Sequence, residues 1–335
     1  MFTGPAPDAS STRVAAVPAP RPGRGQLTID VAYAGVNFKD VMVRRGDPGY
    51  ASGWPFVAGL EVAGRVRALG PGVSGFEIGD DVAAYTGSGG LSEVAVADAD
   101  AVVQVPEGVE LAQAAVATGV LVTAQLLLHD FGRIRDTDRI VVHGATGGVG
   151  AAVAQIARAA GVTALIGTVG DASRVAAATA VGYDEVLVRH EIDPAAFLLQ
   201  SGGVDLILDP QGTALLELDL AFLRPGGRIV LFGNASGRAF DPLPSATRLL
   251  GRNAAIGGFS LASIAGTNPQ VIATALTRTL AAIADEAVHI DAYLLHGLGE
   301  VAAAHQALAE GRGAGKYVVR LTRERRCPRA REVSQ

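Results

Sequence analysis

The chain has 335 residues, of which 49% are hydrophobic and 18% charged, with a net charge of -5. It is long enough for two lobes and apolar enough for substantial cores, and it lacks the charge of a disordered chain or of a basic nucleic-acid surface. Its one cysteine, Cys327, excludes an internal disulfide and any thiolate-rich zinc site.

Met1–Ser11 is rich in proline, alanine and serine and lacks the charged-then-apolar order of a signal peptide. No apolar run reaches the roughly 20 residues of a membrane span without glycine or charge breaking it, so a cytoplasmic protein is expected. From Gln26 to Gln104, short β-rich runs alternate with Gly/Pro turns. Leu27–Ala32, Val62–Ala68, Asp81–Ala84, Ser92–Ala97 and Ala101–Val105 are predicted strands of an antiparallel, barrel-like lobe. An apolar helix is predicted over Leu111–His129, ending at Asp130-Phe131-Gly132.

Strand and helix then alternate. Arg139–His143, Thr163–Thr168, Asp184–Val188, Asp205–Asp209, Arg228–Phe232 and Ala254–Phe259 are predicted strands. The helices Gly147–Ala160, Asp171–Val181 and Thr213–Leu223 fall between them. Short apolar runs separated by helices are what a parallel sheet covered on both faces requires. Helices over Pro269–Glu286 and Glu300–Ala309 precede a last strand, Tyr317–Leu321, expected to return to the first lobe. The basic stretch from Thr322 reads as a disordered tail.

The strongest chemical signal is the strand Arg139–His143 running into Gly144-Ala145-Thr146-Gly147-Gly148-Val149-Gly150. A buried strand, a glycine-rich turn and a helix bring backbone N–H groups and a helix N-terminus to a pyrophosphate, and a Cβ would block that approach. The end of the second strand then decides between NAD and NADP. Thr168 carries a hydroxyl there, and Arg174 and Arg189 could meet a 2′-phosphate, whereas Asp171 suits either a ribose hydroxyl or a helix N-cap. NADPH is the expected cofactor.

Several segments resemble the zinc-independent quinone oxidoreductase branch of the medium-chain dehydrogenase/reductase superfamily. They are Gly35-Val36-Asn37-Phe38-Lys39-Asp40, Pro55–Gly64, the glycine-rich turn, Leu165–Gly170 and Phe232–Gly237. The surroundings of His129 and Asp209-Pro210 are similar to VAT-1 homologues, and Asn37–Asp40 to polyketide synthase enoylreductase domains. The resemblance implies a six-stranded, doubly wound parallel Rossmann sheet inserted into a GroES-like, partly open β-barrel catalytic domain. Residues 114–258 would form the first, residues 1–113 with 259–321 the second, and residues 322–335 the tail.

By position the resemblance further implies that Thr123 and the turn residues Thr146, Gly147, Gly148, Val149 and Gly150 face the nicotinamide and pyrophosphate. Thr168, Ser173, Arg174 and Arg189 would lie near the adenosine ribose phosphate, with Lys316 approaching the same 2′-phosphate. Phe232, Gly233 and Asn234 would run along the dinucleotide, and Phe259, Ser260 and Leu261 beside the nicotinamide. Zinc alcohol dehydrogenases of this fold carry Gly-His-Glu where this chain has Gly59-Leu60-Glu61. That departure argues for hydride delivery to an electrophilic acceptor, such as a quinone, an enone or an enoyl thioester.

Asn37 is then the candidate oriented polar group near nicotinamide and substrate, and Lys39 with Asp40 a candidate acid–base pair. The family's tyrosine position is Pro48 here, which moves the candidate proton donor to Tyr50; water would serve equally. His143 reads as a buried packing residue. A free-standing enoylreductase of a polyketide pathway would need a basic surface for an acidic acyl carrier protein, suggested by Arg44 and Arg45. A VAT-1-like, non-catalytic NADPH-binding protein is the reading of another class. Edge-to-edge joining of Rossmann sheets makes a homodimer the expected assembly.

Overall fold

The computed structural model describes residues 1–313 and 315–321, so the predicted tail, 322–335, lies outside the described residues. Two sheets organise it. The first contains β1 (Gln26–Val36), β2 (Glu61–Leu69), β3 (Asp81–Tyr85), β4 (Val94–Asp98) and β5 (Val102–Gln104). The second is built from β6 (Arg139–His143), β7 (Ala164–Val169), β8 (Glu185–Val188), β9 (Val204–Asp209), β10 (Leu223–Leu231) and β11 (Ala255–Gly258). The chain then gives β12 (Ala292–Leu295) and β13 (Lys316–Arg320) back to the first sheet.

The first sheet runs β12-β13-β1-β2-β3-β5, with β4 also on β1. β1 can serve three partners because it is long and bulged: its first half pairs with β4 and its last four residues pair antiparallel with β13. The second sheet is parallel throughout and ordered β11-β10-β9-β6-β7-β8. Order reverses between β6 and β9, where doubly wound sheets open a crevice at their carboxyl ends. Every residue of β9 is buried between its two neighbours, Asp205 and Asp209 included.

The segment between the sheets is one helical stretch, Leu111–Phe131, in which α-turns alternate with π-turns at Ala117–Val122 and Leu127–Phe131. By length and composition it could cross a membrane, which the sequence reading did not anticipate. Its most apolar window is nevertheless 78% buried inside the fold. It packs with the helices Gly148–Ala159 and Pro269–Ala284 in the largest core cluster, which joins the two sheets. A helix apolar on all sides is stable in water only when covered this way.

Elements beyond the predicted ones include the short helices Phe38–Arg45, Pro194–Ser201, Ala246–Leu250 and Leu261–Thr267, the turn of 3-10 helix at Arg189–Glu191, and the strand β12. β10 is longer than Arg228–Phe232, because Leu223 already pairs with Val204 before a register shift resumes the ladder at Arg228.

Candidate active site between the two sheets

At the end of β6 the chain turns through Gly144 and enters the helix Gly148–Ala159 with Gly147 at its N-cap and no side chain capping it. Its first amides therefore remain available to an anion. Gly150 must lack a side chain, since a Cβ there would stand 2.5 Å from the Gly144 carbonyl oxygen. Thr146 is half-buried beside the turn, and Val149 packs on the core. An uncapped helix start with glycines at each close approach fits the pyrophosphate of a dinucleotide.

Around that turn the predicted adenosine-side residues divide. Arg174 donates to the Thr146 hydroxyl at 3.3 Å and to the carbonyls of Gly313 (3.2 Å) and Gly311, so it bridges the parallel sheet to the loop before β13. Arg189 is half-buried at the end of β8, with a terminal nitrogen 3.7 Å from where a Gly170 Cβ would stand. Asp171 accepts from the Ser173 amide as an N-cap, leaving the Ser173 side chain exposed. Thr168 is a correction. Its hydroxyl is fully buried and bonded to His143 Nδ1 at 2.7 Å, so it faces the sheet interior rather than a ribose phosphate.

His143 is more than the packing residue expected. Its Nε2 meets Asp219 at 2.7 Å, and Asp209 lies beside Asp219. Burial, then the Asp219 charge, push the Asp209 carboxyl up to about 7, against the opposing effect of His143. The second oxygens of both carboxylates are buried without a hydrogen-bond partner among the described residues.

Nearer the first sheet, Asn234 is buried and bonded within its own loop, to the Arg238 carbonyl and the Ser236 hydroxyl. Phe232 and Gly233 are half-buried on the same loop. Phe259 stacks edge-on against Phe131 with ring centroids 5.0 Å apart, and Ser260 caps the helix that Leu261 begins. Thr123 is buried on the long helix.

The centre between the sheets is a cluster that the sequence reading missed. Glu61, wholly buried at the start of β2, accepts from Asn37 Nδ2 at 2.8 Å, from Lys316 Nζ and from the Gly119 amide. Lys316 also donates to Asn37 Oδ1 at 2.6 Å and to the Val36 carbonyl at 3.1 Å. All three ammonium hydrogens are thus taken within the lobe, so Lys316 does not reach out to a 2′-phosphate. Its stem passes Gly148, where a Cβ would stand 3.8 Å from Lys316 Cδ. Asn37 is corrected too: its amide is held from both ends and serves the joint before any substrate. The π-turn is what aims the Gly119 amide at Glu61, and a Cβ on Gly119 would sit 2.5 Å from Glu61 Oε1.

Lys39 and Asp40 do not pair. Asp40 is buried under the Phe38–Arg45 helix, accepting from the amides of Asn37 (2.9 Å) and Gly59 (3.0 Å), with His305 Nε2 at 3.5 Å. Burial raises its pKa, but the His305 contact and the two amides outweigh that and leave it below the ordinary carboxylate range. Lys39, one residue earlier on the helix, turns the other way and donates to the Gly87 carbonyl at 2.8 Å. It enters a cavity of about 670 Å³ walled by the first sheet and by the helices that follow Ser260. Tyr50 lies elsewhere, half-buried on the core of the first sheet and outside the cavity lining.

The basic surface expected at Arg44 and Arg45 is not there. Arg44 is fully buried and donates to the Pro7 carbonyl at 3.2 Å. Arg45 is committed to Asp47 and, across the cleft, to the Asn234 carbonyl at 2.9 Å.

Residues 23–107 match the family described as the alcohol dehydrogenase GroES-like domain, and residues 148–277 the zinc-binding dehydrogenase family. Quinone oxidoreductase of Sus scrofa is 33% identical over 307 residues, 90% of this chain and 91% of that protein. A mycocerosic acid synthase-like polyketide synthase of Mycobacterium tuberculosis is 29% identical over 304 residues, and the chain spans 14% of its length. The human synaptic vesicle membrane protein VAT-1 homolog-like is 32% identical over 225 residues, about half of that protein (52%). Among solved structures, Escherichia coli quinone oxidoreductase complexed with NADPH superposes with a TM-score of 0.85 at 26% identity, covering 96% of this chain and 98% of that one. A mycobacterial protein complexed with NADPH gives 0.85 at 30% identity, covering 95% and 98%.

Proposed function

Because the chain belongs to the quinone oxidoreductase-like family of medium-chain dehydrogenases/reductases, we propose that it is an NADPH-dependent reductase. It delivers hydride to a quinone or to the C=C of an α,β-unsaturated carbonyl, without zinc. The observation that carries this reading is the uncapped helix start at Gly147–Gly148. It is joined through the Lys316 stem to the Asn37–Glu61 cluster of the other sheet.

Bound at the carboxyl edge of the parallel sheet, NADPH supplies the hydride. The amides of Gly148, Val149 and Gly150 would hold its pyrophosphate, and Arg174 and Arg189 would be the cations for its 2′-phosphate. Phe259, braced by Phe131, would back the nicotinamide. Asn37 and Lys316 hold the first sheet at a fixed distance from the cofactor edge. Zinc independence is supported by the donor set: an amide at Asn37 and a buried leucine at Leu60 are no ligands for zinc, and neither family-matched segment contains cysteine. We place the enzyme in the cytoplasm as a homodimer joined through β11, the exposed edge of the parallel sheet.

The similarity to a polyketide synthase supports a second reading, a free-standing enoylreductase, but buried Arg44 and committed Arg45 offer no surface to an acidic carrier. Cofactor consumption with a benzoquinone, a short alkenone, crotonyl-CoA and a carrier-bound enoyl thioester separates the readings. The expected result is turnover of the free acceptors with NADPH at least ten times better than NADH. Turnover of the carrier-bound substrate alone favours the second reading. Tight NADPH binding with no turnover would make the protein a non-catalytic binder.

A further inference from the structure

We propose that Tyr85 and Lys39 form the acid end of the acceptor site: Tyr85 holds the acceptor's carbonyl oxygen and Lys39 supplies the proton that completes the reduction. This rests on the reductase reading above. Neither the Lys39–Asp40 pair nor Tyr50 survives as the proton source, since Asp40 faces His305 and Tyr50 is outside the cavity.

Tyr85 ends β3, and Lys39 lies on the first turn of the Phe38–Arg45 helix, so two rigid elements present them. The Lys39 ammonium is 6.0 Å from the Tyr85 ring centroid, and both residues line the same cavity together with Val57, Ala262 and Ala265. Of three ammonium hydrogens, one is used, on the Gly87 carbonyl. Tyr85 is only 6% exposed and lines the cavity, and burial alone raises its phenol, with no hydrogen bond opposing it. Two donors thus face one cavity, whose wall sets Val57, Ala262 and Ala265 beside Thr86, Ser88, Ser92 and Asp98. What completes such a pair is an oxygen that becomes negative during reaction, bound beside a flat apolar body.

Their roles differ. Burial pushes the Tyr85 phenol up to about 12, so it stays protonated and donates without dissociating. Burial lowers the Lys39 ammonium, with Asp40 opposing, which makes it the better acid of the two. With an enone, hydride forms the new C–H bond at the β-carbon and the π pair moves to the oxygen as an enolate. Tyr85 and Lys39 donate to that oxyanion. The Lys39 proton then passes to the α-carbon, the enolate pair closing back to a carbonyl, and water reprotonates the amine. With a quinone the same proton goes to the oxyanion.

Tyr85→Phe keeps the ring and Lys39→Met keeps the stem, so each removes only the polar end. Each variant is expected to lose about 10²-fold or more in kcat while NADPH affinity, read by nicotinamide fluorescence, stays within about twofold. In the wild type kcat falls as pH rises through the lowered Lys39 pKa, and Lys39→Met loses that limb. Independently of turnover, 4-nitrophenol added to the NADP⁺-bound protein is expected to bind as the yellow phenolate, its apparent pKa lowered. The wild type shows this and both variants lose it. Wild-type kcat, pH profile and phenolate binding in both variants would overturn the proposal. A wild type that binds the phenolate through these residues yet reduces no acceptor would instead overturn the reductase reading, and the proton transfer with it.

Discussion

Asp209 is buried against Asp219 and His143 at the end of β9, and burial has pushed its carboxyl up to about 7. The folded chain therefore binds that proton more tightly than the unfolded chain does, whose carboxyl titrates near the usual value of about 4. The contribution to stability is complete below about pH 4 and is lost progressively as pH rises through about 7. Asp209→Asn removes the titration while keeping the shape. Urea unfolding at pH 5 and pH 8 is expected to show wild-type stability falling across that interval and the variant's falling less, with the variant gaining relative to wild type at pH 8. An unchanged difference between the two pH values would contradict this. The buried carboxyl of Glu61, by contrast, has its hydrogen bonds met by Lys316, Asn37 and the Gly119 amide.

The glycine-rich turn works as an element. Gly150→Ala would put a methyl 2.5 Å from the Gly144 carbonyl oxygen and 2.7 Å from that of Ala145. The helix start would have to withdraw from the turn, and its amides from the pyrophosphate. The expected outcome is an NADPH affinity at least about tenfold weaker by fluorescence titration, with the parallel sheet still folded by circular dichroism. The same turn was readable from the sequence, because the strand Arg139–His143 runs at once into Gly144, Gly147 and Gly150 and then a helix. The Phe38–Arg45 helix was not. Asn37 and Asp40 stand three residues apart as a helix start, with Asp40 reaching back to the Asn37 amide, and that spacing was taken for chemistry. Capping logic would have found it. Nothing local could have found the Lys316–Glu61 pair, which the return of β13 onto β1 brings together across 255 positions. Tyr85 was passed over for a related reason: a strand-end tyrosine gains meaning only when the Leu261–Thr267 helix closes the cavity over it.

The molecule as a whole sets two sheets against one apolar helix, and specific polar contacts add to the core that joins them. Arg45 of the catalytic lobe reaches the Asn234 carbonyl, and Arg174 of the parallel sheet reaches Gly311 and Gly313 in the other direction. The Glu61 cluster ties the base of the same cleft to the long helix through Gly119. Under the proposed function such a cleft would orient a dinucleotide and an acceptor toward each other, with the proposed acid at its end. The proposed function requires hydride to pass directly from nicotinamide to acceptor carbon within it. NADPH deuterated at the transferred position of C4, incubated with a short alkenone and the protein, tests this by mass spectrometry of the product. The account predicts one deuterium at the β-carbon of the saturated ketone. A product without deuterium, or NADPH that stays bound and unoxidised beside unreacted enone, would contradict it.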